Sequence, residues 1–122
     1  MNKAARSVLL FGIYVVALGV TLVVAPNPLL RLFGVAETHE VWIHVLGVLI
    51  FNIGIFYVLA GSTSIPQIIV ASVPIRFGTL TFLLLFVLIG NADSALIGFG
   101  LVDAATAIWT LTALRADARA HV

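Results

Sequence analysis

Four long apolar runs divide this sequence, and each is close to the about 20 residues that a helix needs to cross a bilayer core. Hydrophobic residues make up 62% of the 122 residues and charged residues 9%, whereas a soluble domain is about half apolar and a quarter charged. No strand-like alternation persists. The sequence therefore predicts an all-α polytopic membrane protein, with residues 1–122 forming one antiparallel bundle of four transmembrane helices.

Composition also excludes several kinds of site and partner. The net charge of +1 is too small to indicate a nucleic-acid partner. Without cysteine there is neither a disulfide nor a thiolate metal site. No cofactor is expected, and no glycine-rich phosphate loop follows a strand. No Ser-His-Asp set shares one depth, so nothing indicates a nucleophilic triad. The expected partners are the lipid bilayer and, as alternatives, a second copy or another membrane protein.

Prolines and capping residues set the predicted helix ends. The first helix stops at Pro26 and Pro28, Asn27 caps a short interfacial segment at 28–33, and Gly34 suits the left-handed stop of that segment. A secretory signal core is shorter than the first apolar run, and Pro26 disfavours cleavage after Ala25, so we expect this helix to be retained. The predicted transmembrane helices span about 4–25, 39–60, 65–89 and 92–114.

Polar residues at the other turns complete this prediction. Thr38 is a candidate cap for the second helix, Ser64 and Gln67 match a capping box for the third, and Asn91 or Asp93 caps the fourth. The fourth helix is expected to fray into a polar tail, residues 115–122, that includes His121.

The distribution of Lys and Arg predicts the orientation in the membrane. One side holds four basic residues and the other holds only Arg31, so both termini are expected in the cytoplasm. The four are Lys3, Arg6, Arg115 and Arg119.

Small residues recur at helical spacing and predict close helix contacts. Gly12 and Gly19, and likewise Gly47 and Gly54, lie seven residues apart, and Gly100 pairs with Ala104 on the fourth helix. Such surfaces let backbones approach closely. They indicate a compact bundle or a dimer face.

Arg76 and Asp103 are the charged residues deepest within apolar runs. With a rise of about 1.5 Å per residue, both lie about eleven residues from the cytoplasmic ends of their helices, so their depths match. The same arithmetic brings Asn52 and Tyr14 near this depth. A charge at mid-membrane costs roughly 2.5–3.5 kcal/mol on insertion scales, which predicts a buried Arg76–Asp103 pair.

Further polar residues follow the two charges along one face of each helix. Ser72 and Thr79 share a stripe with Arg76, and Thr106 and Thr110 share one with Asp103. Pro74 cannot donate to the Val70 carbonyl, and Ser72 or Arg76 could serve that carbonyl instead.

Two interpretations of this polar layer remain open. In one, the Arg76 guanidinium binds a carboxylate or phosphate, and Asp103 holds the guanidinium or competes with the ligand. In the other, the two charges satisfy each other and fix helix register, with Asn52 and Tyr14 completing the hydrogen bonds. Glu40 and His44 are weak candidates for a metal site at the outer edge, because no HExxH spacing supports them.

Several segments carry a family resemblance. These are the stretch Gly47–Tyr57 (GVLIFNIGIFY), Arg76 after a proline, Asp103 to Thr110 (DAATAIWT), and Leu114-Arg115. The chain resembles the small bacterial four-helix membrane proteins grouped with DoxX-like families. That resemblance implies the fold and a location in the bacterial inner membrane, and it transfers no catalytic residue.

Three functions follow as hypotheses. The first is a helper or binding protein that holds a lipid-like small molecule at the polar layer or packs against a membrane enzyme. The second is a minimal proton-coupled transporter, dimeric, in which Asp103 changes protonation as substrate passes Arg76. The third is a membrane enzyme subunit, although the chain offers no nucleophilic or hydrolytic constellation.

Overall fold

The computed structural model describes residues 2–90 and 92–120, and the part of the chain that it describes is all-α, without strands. Four helices in it are long and apolar enough to cross a membrane, which confirms the prediction of a multi-pass membrane protein. The elements are α1 (Lys3–Val24), α2 (Pro26–Leu32), α3 (Trp42–Ser62), α4 (Pro66–Leu88), a 3-10 turn (Ser94–Leu96) and α5 (Ile97–Ala120).

The corner between α1 and α3 differs from its prediction at two caps. Helix α2 begins at Pro26, two residues early, and the Asn27 side chain accepts the Thr38 N–H at 2.9 Å instead of capping α2. Helix α3 begins at Trp42, because the Thr38 hydroxyl accepts only the Glu40 N–H, at 3.3 Å, and starts no helix. The left-handed stop at Gly34 is confirmed, with φ of 71°.

The turn between α3 and α4 does not contain the predicted capping box. Ser64 has φ of 54°, and the Ile65 N–H donates to the Ala60 carbonyl at 3.0 Å, which is the bond that closes a left-handed helix stop. Ser64 therefore ends α3, and α4 starts at Pro66 without a side-chain cap. Proline at the first helical position needs no donor there.

Helix α5 runs to Ala120, six residues beyond its predicted end. The Asp117 carboxylate accepts the Lys3 N–H at 3.2 Å and the Ala4 N–H at 3.0 Å, so residues 115–120 of the predicted tail are helical and are joined to the start of α1. Those N–H groups carry the positive end of the α1 dipole, which a carboxylate stabilises. Asp93 caps the 3-10 turn through the Ala95 N–H at 3.0 Å. The alternative cap Asn91, and His121, lie outside the described residues.

Helices α1 and α3 pack through a glycine interface formed by Gly12, Gly19, Gly47, Gly54 and Gly61. A Cβ added at Gly19 would lie 2.4 Å from the Phe51 backbone nitrogen, and one at Gly54 would lie 2.6 Å from that of Val16. Side chains larger than hydrogen would therefore force the two backbones apart. The predicted close contact is confirmed, and these glycines serve the inside of the bundle instead of a dimer face.

The helices are arranged so that α3 and α4 stay apart. Helix α1 packs against both α3 and α5, and α4 packs mainly against α5. Small residues close the end of the bundle that carries the termini, where Ala4, Ala5, Ala60 and Ala113 are buried together. We call this the terminal end and the opposite one the α2 end. Between them, the gap between α3 and α4 leaves room for a site.

Candidate functional site

Arg76 is the largest fully buried side chain, with 1% exposure. Its Nε donates to the Ser72 carbonyl at 3.2 Å, and its Nη2 donates to the Ser72 hydroxyl at 3.0 Å and to the Thr110 hydroxyl at 2.7 Å. The Ser7 and Thr110 hydroxyl oxygens lie 2.7 Å apart. We call Ser7, Ser72, Arg76 and Thr110 the polar network, which ties α1, α4 and α5 together.

One nitrogen of the guanidinium has no place in this network. Arg76 Nη1 is buried and has no hydrogen-bond partner among the described residues. The Phe11 ring faces the guanidinium, with 4.6 Å between its centroid and Arg76 Cζ, and supplies a cation–π contact. A buried donor without an acceptor is costly, more so in hydrocarbon than in water. Nη1 is therefore a buried donor in this site with unused binding capacity.

The predicted ion pair between Arg76 and Asp103 is not formed. Within the described ranges, the one ion pair within 4.0 Å joins Arg31 Nε to Glu37 Oε1, at 3.0 Å on the surface. Side chains on a helix lean toward its N-terminus. Arg76 leans back along α4 to Ser72 and bonds Thr110 of α5, which lies seven residues, or about two turns, from Asp103. Arg76 therefore leans away from Asp103.

A cavity of about 450 Å³ lies between the helices, next to Arg76. Its wall is mostly apolar, with Leu18 and Leu22 from α1, Leu30 from α2, and Ile50 and Ile53 from α3. Five polar side chains interrupt this wall: Tyr14, Tyr57, Arg76, Thr79 and Asp103. The volume falls within the range of about 300–1,000 Å³ that is typical of small-molecule pockets.

The predicted site residues divide into two groups. Arg76, Asp103, Tyr14 and Thr79 line the cavity together, and buried Ser72 holds Arg76 from behind. Two others point elsewhere and correct the prediction. The Asn52 side chain is exposed on the outer surface of α3, and the Thr106 hydroxyl bonds the Val102 and Asp103 carbonyls of its own helix.

The carbonyl left free by Pro74 is not bonded by either predicted donor. The Ser72 hydroxyl donates to the Ile69 carbonyl at 2.7 Å, and Arg76 Nε donates to the Ser72 carbonyl. Neither side chain bonds the Val70 carbonyl, because each reaches a carbonyl three or four residues back, whereas Val70 lies two residues before Ser72 and six before Arg76, on another face of α4.

Sequence reasoning missed Ser7 and Tyr57, and it gave Thr110 no role of its own. Thr110 shares a stripe with Asp103, and its hydroxyl is central to the polar network. The sequence does hold a signal for these partners. The Arg76 side chain extends about one helical turn toward the N-terminus of α4, and Ser7 and Thr110 lie at that level, near the terminal end.

The two candidate metal ligands, Glu40 and His44, belong to no larger ligand group among the residues that the structure describes. No group of three His, Asp or Glu residues placed to hold a metal occurs in the described part of the chain. His44 Nδ1 lies 2.7 Å from the Val23 carbonyl oxygen near the end of α1. This imidazole therefore bonds a carbonyl that the helix itself leaves free. Glu40 lies before α3, where its N–H is bonded by Thr38.

Comparison with known proteins adds no relative: no family model, curated protein or solved structure matches the chain.

Proposed function

We propose that this protein binds an amphipathic, lipid-soluble molecule inside the membrane, with the acceptor oxygen of the ligand on Arg76 and its apolar body in the cavity. The observation that carries the proposal is the buried Arg76 Nη1 without a partner, in a residue that lines an apolar cavity. The Arg76 guanidinium is a donor of fixed direction, because Ser72 and Thr110 already hold its other nitrogens. Such a donor prefers a carboxylate or a phosphate, whose negative charge matches the guanidinium, to an uncharged carbonyl.

The route of entry follows from the helix arrangement. Helices α3 and α4 are joined by a short turn but make little contact with each other, so the cavity is reached from the lipid between them. A ligand that enters from the hydrocarbon phase keeps its apolar body in an apolar environment throughout. Only its polar head changes surroundings, and Arg76 offers that head a hydrogen bond that lipid tails cannot.

The wider setting belongs to the same proposal. The four helices form an antiparallel bundle in a bacterial inner membrane, with both termini in the cytoplasm. The basic residues near the termini and the resemblance to DoxX-like proteins support this setting.

Binding of a spin-labelled stearic acid tests the proposal. In lipid nanodiscs, we expect the protein to immobilise the free acid, and its methyl ester about tenfold more weakly, since one charge-assisted hydrogen bond contributes on the order of 1.5–3 kcal/mol. Arg76→Gln should remove the preference for the acid. Arg31→Gln is the matched control, because Arg31 is exposed and paired with Glu37.

A second pair of variants tests the cavity without touching the polar network. Ile50→Phe adds volume to the cavity wall, and Ile108→Phe makes the same change at an outward-facing position that is 52% exposed. We expect only Ile50→Phe to abolish binding, with both proteins folded by circular dichroism. Equal binding of acid and ester to the native protein, or equal binding by the two phenylalanine variants, would contradict the proposal.

Proton-coupled transport is a second candidate, favoured by one observation. Asp103 lines the same cavity as Arg76 without an ion pair to it, so its carboxylate exchanges a proton without first breaking a bridge. Transport requires proton flux in reconstituted vesicles that depends on the stearic acid and disappears in Asp103→Asn. Binding without any flux would leave the binding role alone.

A further inference from the structure

Asn52 is a polar residue on the outer surface of a membrane helix. It lies at the centre of α3, eleventh of 21 residues, and it is exposed. Its side-chain amide makes no hydrogen bond to any residue among 2–90 and 92–120. The middle of a transmembrane helix faces hydrocarbon, where nothing in the lipid satisfies an amide. Asn52 therefore lacks the partner that a buried polar group requires.

Exposed threonines in the membrane helices avoid this cost within their own helix. The Thr81 hydroxyl donates to the Phe77 carbonyl at 3.2 Å, and the Thr112 hydroxyl donates to the Trp109 carbonyl at 2.8 Å. Each threonine is thereby satisfied without a neighbour. The Asn52 amide differs because it carries two donors and an acceptor and bonds no carbonyl of α3.

The apolar residues around Asn52 form a surface with a regular repeat. They follow one another at spacings of four, three, four and three residues, and each apolar member is between 39% and 66% exposed. We call this surface the α3 stripe: Val45, Leu49, Asn52, Phe56 and Leu59. A repeat of alternating three and four residues is the pattern by which two helices interlock in a left-handed coiled coil.

The α3 stripe is separate from the surfaces that α3 already uses. At about 100° per residue, Gly54 lies about 200° around the helix from Asn52, so the glycine interface with α1 is on the far side. The α3 residues that line the cavity, such as Ile50 and Ile53, lie between these two surfaces. A helix docked on the stripe would cover neither α1 nor the cavity.

We infer that the α3 stripe is the interface of a homodimer, in which Asn52 of one copy hydrogen-bonds Asn52 of the other. A second copy is the partner that fits, because an amide both donates and accepts and so complements itself across a two-fold axis. Copies with the same orientation in the membrane bring their α3 helices together in parallel, with both Asn52 residues at one depth. A single asparagine within such a repeat fixes register and favours two strands.

Disulfide trapping in membranes tests this interface directly, because the chain contains no cysteine. Leu49→Cys on the stripe and Leu85→Cys on α4 are matched single-cysteine variants, with leucines that are 55% and 49% exposed. Under mild oxidation we expect Leu49→Cys to form a covalent dimer and Leu85→Cys to form little. Adding Asn52→Leu to Leu49→Cys should reduce the cross-linked fraction severalfold.

The outcomes decide whether a second copy of the protein packs on the α3 stripe. Asn52 is exposed, so Asn52→Leu should fold normally, and circular dichroism of the double variant checks this. Equal cross-linking at the two cysteines, or cross-linking at Leu49→Cys that Asn52→Leu leaves unchanged, would overturn the inference. The inference would also be overturned if the native protein were a monomer in nanodiscs assembled at high protein density. None of these results bears on ligand binding in the cavity.

Discussion

The glycine interface and the polar network hold the bundle together in different ways. Between α1 and α3 the backbones touch, and the one side-chain hydrogen bond that joins these two helices in the described part of the chain is His44 to the Val23 carbonyl near the α2 end. Between α1, α4 and α5 the helices are joined by hydroxyls and a guanidinium near the terminal end. The first contact excludes everything between the helices. The second joins them at one level and leaves space beyond it.

This difference explains where a ligand site can exist in so short a chain. Close backbone contact depends on shape along the whole interface, so it leaves no volume to fill. A polar network fixes helix positions with a few directed bonds, and α4 is then held to α5 and α1 without needing α3. The cavity lies on the side of α4 that no glycine surface closes.

The largest expected effect comes from adding one methyl group to the glycine interface. In Gly19→Ala the new Cβ would lie 2.4 Å from the Phe51 nitrogen, so α1 and α3 must separate. We expect a loss of about 1–3 kcal/mol in unfolding free energy, the usual cost of overpacking. Thermal unfolding in detergent, followed by circular dichroism, measures it.

Gly78→Ala is the matched control for that substitution. Gly78 lies within α4, and a Cβ there meets nothing within 4 Å. Replacing a helical glycine by alanine in open space stabilises by about 0.4–1 kcal/mol. If both variants shift the melting temperature in the same direction, close contact does not determine the glycine interface.

A smaller effect is expected from the polar network. Thr110→Val removes one of the two acceptors for Arg76 Nη2 and a partner of Ser7, leaving a buried cation with fewer bonds. We expect a loss of about 1–3 kcal/mol, toward the lower end because Ser72 still accepts from Arg76. Thr112→Val, whose hydroxyl bonds its own helix on the exposed surface, should change stability by less than about 0.5 kcal/mol.

The double variant shows whether Thr110 acts through Arg76. When Arg76→Leu has removed the cation, Thr110→Val should cost about 1 kcal/mol less than it does alone, since residues in contact couple. Identical costs in the two backgrounds would mean that Thr110 stabilises the bundle through packing alone.

The fold was largely predictable from the sequence, and the errors in the predicted helix ends have local causes. Apolar length and proline positions predict the four long helices, because crossing a bilayer dictates both. The end of α5 was predicted too early because its apolar run stops at Leu114. Residues 115–120 alternate charged residues with alanine, and alanine and arginine favour helix; Asp117 also bonds the start of α1, far away in the sequence.

The site shows a different limit. Arg76 and Asp103, which the fixed helix rise predicts at one depth, both line the cavity. Depth alone says nothing of what each side chain contacts. Depth counting failed to predict their partners, because the lean of each side chain depends on helix direction as well as on depth. Asn52 also matched in depth, but rotation about α3 turns it away, and rotation is set by which surface carries the glycines.

The smallest effect should come from Asp117, where the polar contacts between α1 and α5 continue beyond the network. Asp117→Asn keeps an acceptor for one of the two N–H groups and removes the negative charge from the start of α1. We expect a loss of about 0.5 kcal/mol, the usual contribution of one charge at a helix end. High salt should shrink the difference, because it screens the charge.

Asp93→Asn is the control, since Asp93 caps a 3-10 turn of three residues, whose dipole is far smaller. Amide exchange at Lys3 and Ala4 measures the effect locally. Faster exchange at these two amides, with the rest of α1 unchanged, would show that Asp117 stabilises only the first turn of α1. A uniform change along α1 would instead make Asp117 part of the same cooperative unit as the glycine interface.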